Sequence, residues 1–172
     1  MQTVLEPIKP KATLRQTVVA YAKRHLKQHP REVGGQNRGP WVRLYMKGHE
    51  GNDYPWCAGF VSFVLKQACV AHGISLPVVQ TFSCDSLAAS GKQNACFVGE
   101  SKVNTESVLA GDIFLCRRTA TDWTHTGIVL EVDDQTFDTI EGNTNDEGSR
   151  EGYEVCQRTR AYKKKDFIAL AT

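Results

Sequence analysis

Cys57 stands immediately after Pro55-Trp56, where a polar loop gives way to the apolar run Ala58, Phe60, Val61, Phe63, Val64, Leu65 and Ala68. A run of this length, apolar nearly all round and closed by Gly73, predicts a buried central helix over 57–72. A cysteine on its first turn meets unpaired backbone N–H groups and a partial positive charge, both of which stabilise a thiolate. The same N–H groups suit a developing oxyanion. One more buried thiol is the competing reading. His125 is the single histidine in the second half of the chain, and Glu141 and Asn143 follow on the next predicted strand. A thiol, an imidazole and a carboxylate or amide make a nucleophile, a base and a group that fixes the base's tautomer.

Those residues must be carried together by separate elements, and strand parity tests two of them. Residues 112–117 (DIFLCR), 124–132 (THTGIVLEV) and 136–142 (TFDTIEG) alternate with a period of two and read as strands. His125 then shares a face with Trp123, Gly127 and Val129, and Glu141 and Asn143 share one with Phe137 and Thr139. A hairpin closed by Asp133-Asp134 alone sets His125 opposite Gly142 and leaves Glu141 on the wrong face. A three-residue loop, Asp133-Asp134-Gln135, sets His125 opposite Asn143 and Gly127 opposite Glu141, with free space above the glycine for the carboxylate. Alternation does not choose between the loops. The chemistry requires the longer one, which is therefore expected.

Around this framework, Leu14, Val18, Ala22 and Leu26 predict an amphipathic helix ending near Pro30. Shorter helices are expected over 40–47 and 82–90, and closing strands over 153–159 and 166–170. Residues 1–12, with Pro7 and Pro10, read as an N-terminal tail, and residues 13–172 as one domain. Helices come first and strands follow, so the class is α+β, with N-terminal helices packed on a C-terminal antiparallel β-sheet. A chain of 172 residues, 41% apolar and 23% charged, is an ordinary globular domain. A net charge of +2 argues against a nucleic-acid binder. No apolar run approaches the ~18–20 residues that span a bilayer, and no secretion signal is readable at the start.

The stretches YPWCAGFVSFVL, GDIFLCRR, THTGIVLEV and TIEGNTN, in this order, resemble a CHAP domain, the cysteine- and histidine-dependent amidohydrolase/peptidase family allied to NlpC/P60 enzymes. The similarity extends over roughly residues 13 to 170. It implies a papain-like fold and hydrolysis of peptidoglycan amide bonds, at the sugar–peptide junction or within the peptides. On this resemblance Cys57 is the nucleophile, His125 the general base and Glu141 the orienting carboxylate. Asn143 is the adjacent residue that supplements or replaces Glu141. The implied enzyme is made in the cytoplasm without a signal peptide and acts in the periplasm or wall after release or delivery. A cognate inhibitor or delivery protein is the further partner considered, and a monomer is expected. A thiol amidase or peptidase acting on a non-wall amide or isopeptide, and an inactive wall-binding module, are the alternatives.

Tyr54, Trp56 and Trp123 flank the proposed catalytic residues and are read as walls of a substrate cleft, with core packing as the competing reading. Some family members hold calcium before the cysteine. Here EGNDYPWC lacks dense acidic spacing, so no metal and no cofactor is expected. None of the six cysteines forms a C-x-x-C pair, and a bridge between Cys84 and Cys96 is conceivable in an oxidising setting. Arg158, Arg160, Lys163, Lys164 and Lys165 read chiefly as a solvated basic surface. The other four histidines, His25, His29, His49 and His72, show no evident partner.

Overall fold

A computed structural model describes residues 2–104, 107–145 and 152–170 of the chain. Among the described residues, five α-helices precede the sheet: α1 (Gln2–Leu5), α2 (Leu14–Lys27), α3 (Pro40–Tyr45), α4 (Cys57–His72) and α5 (Cys84–Gln93). The strands are β1 (Phe97–Val98), β2 (Ile113–Thr119), β3 (Asp122–Val132), β4 (Thr136–Thr144), β5 (Glu154–Ala161) and β6 (Lys165–Ile168). They form one antiparallel sheet in the order β1-β6-β2-β3-β4-β5, so the molecule is α+β. The run from β2 to β5 is a meander of neighbours. The last strand then returns to the far side of β2, a long-range pairing that local pattern does not encode.

The helix boundaries follow from local chemistry. Thr13 caps α2 by accepting from the Gln16 N–H, and Arg24, His25 and Lys27 occupy its last turn, where the helix dipole favours positive charge. Gly73 closes α4 at a φ of 66°, and the Ile74 N–H reaches back to the Cys69 carbonyl. Between these ends α4 buries Phe60, Val61, Val64, Leu65 and Ala68 completely or nearly so. The sheet divides the apolar interior in two. Ile113, Leu115, Ile128, Ile140 and Ile168 pack toward α2, α4 and α5, whereas Phe114, Val129, Phe137 and Phe167 cluster on the alternate strand positions.

The first residues depart from the expected tail. They form the helical turn α1, which buries Val4 fully, and the Gln67 side chain donates to the Val4 carbonyl at 2.5 Å. The Ile8 N–H donates to the Tyr21 hydroxyl and the Lys11 N–H to Thr17 Oγ1, so polar bonds hold this segment against α2 and α4. The expected short helix at 82–90 runs slightly later, over Cys84–Gln93, because Ser83 supplies its N-cap by accepting from the Ser86 N–H. No helix among the described residues is long and apolar enough to cross a membrane.

Candidate active site

Cys57 is the first residue of α4 and is 4% exposed. Trp56, before it, makes no side-chain cap, and the Ala58 N–H is directed at the Cys57 sulfur. The turn is clamped by packing instead. Trp56 is wholly buried, stacks on Tyr45 at 5.6 Å between ring centroids, and donates Nε1–H to Glu32 Oε1 at 2.9 Å. Gly59 allows α3 to approach, since a Cβ there would lie 2.9 Å from the Tyr45 carbonyl oxygen. Trp56 therefore fixes the cysteine's turn and does not wall a cleft.

His125 and Glu141 meet as strand parity requires, but by a different turn from the one expected. The Asp133 N–H bonds the Thr136 carbonyl at 2.9 Å, so the hairpin closes with only Asp134 and Gln135 at its tip. Continued without interruption, that turn would face Gly127 with Gly142. A bulge at Leu130 intervenes: Glu131 pairs with Asp138, but Val129 pairs with Thr139 and Ile128 with Ile140. Extending this second register sets Gly127 beside Glu141, as the three-residue loop would have done. A Cβ on Gly127 would lie 2.7 Å from Glu141 Cγ, so the carboxylate side chain crosses the strand over the glycine. Nε2 of His125 and Oε2 of Glu141 are 2.7 Å apart.

The carboxylate accepts three further hydrogen bonds, from two residues. Arg160 on β5 donates Nε–H to Oε1 at 2.8 Å and Nη2–H to Oε2 at 2.6 Å, and Thr139 donates its hydroxyl to Oε1 at 2.6 Å. Burial pushes the Glu141 carboxyl up, but Arg160 and His125 outweigh it and hold the group down at about 2. Burial likewise disfavours a charged His125, yet the Cys57 sulfur and Glu141 raise the imidazolium to about 9. The neighbouring Cys84 thiol is the largest influence lowering Cys57; burial opposes it, and His125 and the Ala58 N–H add to the lowering, leaving the thiol well below its ordinary range. With Nε2 committed to Glu141, Nδ1 is the ring nitrogen left for the sulfur, and it has no hydrogen-bond partner among the described residues. Both shifts run toward a thiolate beside an imidazolium.

Other expected site residues fall elsewhere. Asn143 is 1% exposed at a φ of 57°, and its amide has no hydrogen-bond partner among the described residues. It does not replace Glu141, which already occupies Nε2. Trp123 is buried against Phe97, with Nε1–H donated to Asp166 Oδ2 at 2.8 Å, and so is core and not cleft wall. Tyr54 is exposed and stacks on His49 at 5.2 Å, with the Phe82 ring beside His49. Arg160 leaves the basic surface for Glu141, a role that composition cannot reveal because the pairing with β4 is tertiary. Cys84, considered for a bridge to Cys96, opens α5 whereas Cys96 lies beyond its end. The seven helical steps from Cys84 to Gly91, whose carbonyl the Cys96 N–H bonds, already rise roughly 10 Å at 1.5 Å per residue. The Cys84 sulfur instead lies 3.9 Å from that of Cys57.

Two of the remaining histidines have hydrogen-bond partners that spacing did not disclose. His25 bonds the Tyr45 hydroxyl and Gln67 Oε1, both at 2.9 Å, and His72 bonds Thr17 Oγ1 at 2.8 Å. Asp112, in the Gly-Asp pair that opens β2, accepts from Arg15 and from the N–H groups of Leu109 and Leu170. It braces three segments away from the thiol. In the loop before Cys57, Glu50 accepts from the Gly39 N–H and from Arg43.

Comparison with known families adds a sequence-wide statement to this geometry. The model described as CHAP domain matches residues 49–143, a stretch running from the loop before Cys57 through His125 and Glu141 to Asn143. No curated protein matches the chain. Among solved structures, the chain is similar to "The crystal structure of Ly7917", with a TM-score of 0.43 and 13% identity, covering 91% of this chain and 63% of that one. The chain thus spans less than two thirds of that protein's length. The family match extends over more than half of the chain and includes each residue of the buried sulfur–imidazole–carboxylate array; the chain belongs to the CHAP domain family.

Proposed function

We propose that the protein is a cysteine hydrolase that cleaves amide bonds of bacterial peptidoglycan through a thioester on Cys57. Membership of the CHAP family carries the broader statement, a hydrolase of the amidase/peptidase type. The observation that supports the finer one is the contact of His125 Nε2 with Glu141 at 2.7 Å, which leaves Nδ1 for the sulfur at the first turn of α4. A papain-like order of parts, with cysteine on a helix start and histidine on a strand, is the corresponding reading of the fold.

The chemistry follows from the charges. The Cys57 thiolate attacks the scissile carbonyl carbon, and the carbonyl oxygen takes up the negative charge against backbone N–H groups of the first turn of α4. His125 gives its Nδ1 proton to the leaving amine as the C–N bond breaks, which leaves a thioester and a neutral imidazole. Nδ1 then takes a proton from water as the water oxygen attacks the thioester. Collapse of that intermediate expels the thiolate, frees the carboxylic acid and restores the ion pair. Glu141 keeps Nε2 protonated throughout, and Arg160 keeps Glu141 ionised. Tyr54 and His49, on the exposed loop before Cys57, supply the aromatic surface proposed to receive glycan or peptide. The substrate lies outside the cytoplasm, so release or delivery of the enzyme is part of the proposal.

Digestion of purified sacculi with mass spectrometry of the soluble products tests this reading. Wild-type protein is expected to release muropeptides, and the products distinguish cleavage at the sugar–peptide junction from cleavage within peptides. Cys57→Ala and His125→Ala are expected to abolish release while retaining the folded circular-dichroism spectrum. Undiminished release by folded Cys57→Ala overturns the proposal.

A further inference from the structure

Cys84 sits where the hydrolytic cycle does not require a second sulfur. Its Sγ lies 3.9 Å from Cys57 Sγ, and both residues are buried, each as the first residue of its helix. The residues on either side of Cys84 are anchored. Ser83 caps α5 through the Ser86 N–H, and Asp85 Oδ1 accepts the Trp123 N–H at 2.6 Å, tying the helix start to β3 two residues before His125. A disulfide needs a sulfur separation of about 2.05 Å, so closure demands a movement of about 1.9 Å. Among the other cysteines, Cys69 lies three turns further along α4, and Cys116 faces His125 from β2.

We propose that Cys57 and Cys84 form a reversible redox pair in which Cys84 resolves peroxide oxidation of the nucleophile. The Cys57 thiolate attacks one oxygen of hydrogen peroxide, the O–O bond breaks, and the leaving hydroxide takes the His125 proton to become water, giving Cys57 sulfenic acid. The Cys84 sulfur then attacks the Cys57 sulfur, the S–O bond breaks, and the Cys84 proton departs with the hydroxyl as water. In sum, two thiols and one hydrogen peroxide give one disulfide and two waters. The local charges favour this order. Sharing a hydrogen bond with the Cys57 thiolate is the largest influence raising Cys84, followed by burial, by the thiolate's charge and by Cys116 and Asp85, so oxidation of Cys57 to a neutral sulfenic acid relieves the two that come from Cys57. The disulfide withdraws the nucleophile and protects it from sulfinic acid, and a dithiol reductant restores both.

This inference needs a reactive Cys57 and not a wall substrate, so peptide mass decides it separately from the hydrolytic assay. Protein freed of reductant is treated with hydrogen peroxide, quenched with N-ethylmaleimide and mapped by peptide mass spectrometry. A Cys57–Cys84 link is expected, assigned by fragment ions that exclude Cys69, and dithiothreitol returns both thiols. In Cys84→Ser, Cys57 is expected to advance to sulfinic acid, with less than about a tenth of the variant's own untreated alkylation at Cys57 recovered by dithiothreitol. Wild-type Cys57 found as sulfinic acid while Cys84 still alkylates, or a link from Cys57 to Cys116, overturns the proposal. Wild-type mapping alone decides between these outcomes if the variant does not fold.

Discussion

Arg160 grips Glu141 by both carboxylate oxygens, at 2.8 and 2.6 Å, on the side of the carboxylate away from β3. Glu141 has no solvent exposure, so without the guanidinium its charge rests on His125 and the Thr139 hydroxyl alone. Breaking a buried pair by removing one partner costs about 3–5 kcal/mol. Arg160→Ala is therefore expected to lower unfolding free energy by about that amount and to reduce kcat/KM at least tenfold. Arg160→Lys keeps the charge but loses the fork, and is expected to fall between the two. Denaturant titration and kinetics of the pair check this, and unchanged activity in folded Arg160→Ala contradicts the positioning role.

The ion pair sets a pH window. Cys57 ionises below its ordinary range, and His125 holds its proton up to about 9, so kcat/KM should fall above about pH 9 as the imidazolium is lost. Iodoacetamide should alkylate Cys57 faster at pH 6.5 than it alkylates a free thiol, which at a pKa of about 8.5 is only about 1% thiolate there. Stability follows the same groups. Glu141 is depressed from 4.5 to about 2, so its contribution is complete above 4.5 and is lost as pH falls toward 2. His125 is raised from 6.5 to about 9, so its contribution is complete below 6.5 and is lost as pH rises through 9. A stability plateau between about pH 4.5 and 6.5 is expected from these two groups. Glu141→Gln should move the upper limb of the rate profile downward.

The sequence carried Cys57, His125 and Glu141 because two periodicities are local: an apolar run marks the helix start, and a period of two sets which strand residues share a face. What it left out came from tertiary packing. Cys84 reaches Cys57 because Ser83 and Asp85 anchor the start of α5, and Arg160 reaches Glu141 across the β4–β5 pairing. The Leu130 bulge was equally hidden, since it replaces one extra loop residue with one extra strand residue and leaves parity unchanged at the site. Trp56 and Trp123 take the core reading and not the cleft-wall one, and nearness in the chain to reactive residues could not choose, because it does not separate a wedge beneath the site from a surface above it.

Gly127 shows how little room that parity leaves. An added Cβ would stand 2.6 Å from Phe114 Cε1 and 2.7 Å from Glu141 Cγ. The carboxylate must then lift from its path to His125, or the Phe114 ring must move within a packed cluster. Gly127→Ala is expected to cost about 1–3 kcal/mol of stability and to lower kcat/KM more than tenfold. Its upper pH limb should also shift down as the His125–Glu141 contact lengthens. A crystal structure of the variant with that contact still at 2.7 Å would contradict this explanation of the glycine.

Asp112 separates bracing from chemistry within the same family motif. It is fully buried and accepts from Arg15 Nε at 2.7 Å and from the Leu109 and Leu170 N–H groups at 2.8 Å each. These bonds tie α2, the turn before β2 and the residues after β6 to one carboxylate, and none reaches Cys57 or His125. Asp112→Ala leaves Arg15 and two backbone donors without their acceptor, so a loss of about 3–5 kcal/mol is expected. The rate profile should nevertheless keep its upper limb near pH 9, because the groups that set it are untouched. Activity normalised to folded protein, measured well below the variant's melting temperature, should stay within about twofold of wild type, since sites without shared partners behave nearly independently. A shifted pH limb in Asp112→Ala would instead couple this brace to the imidazole.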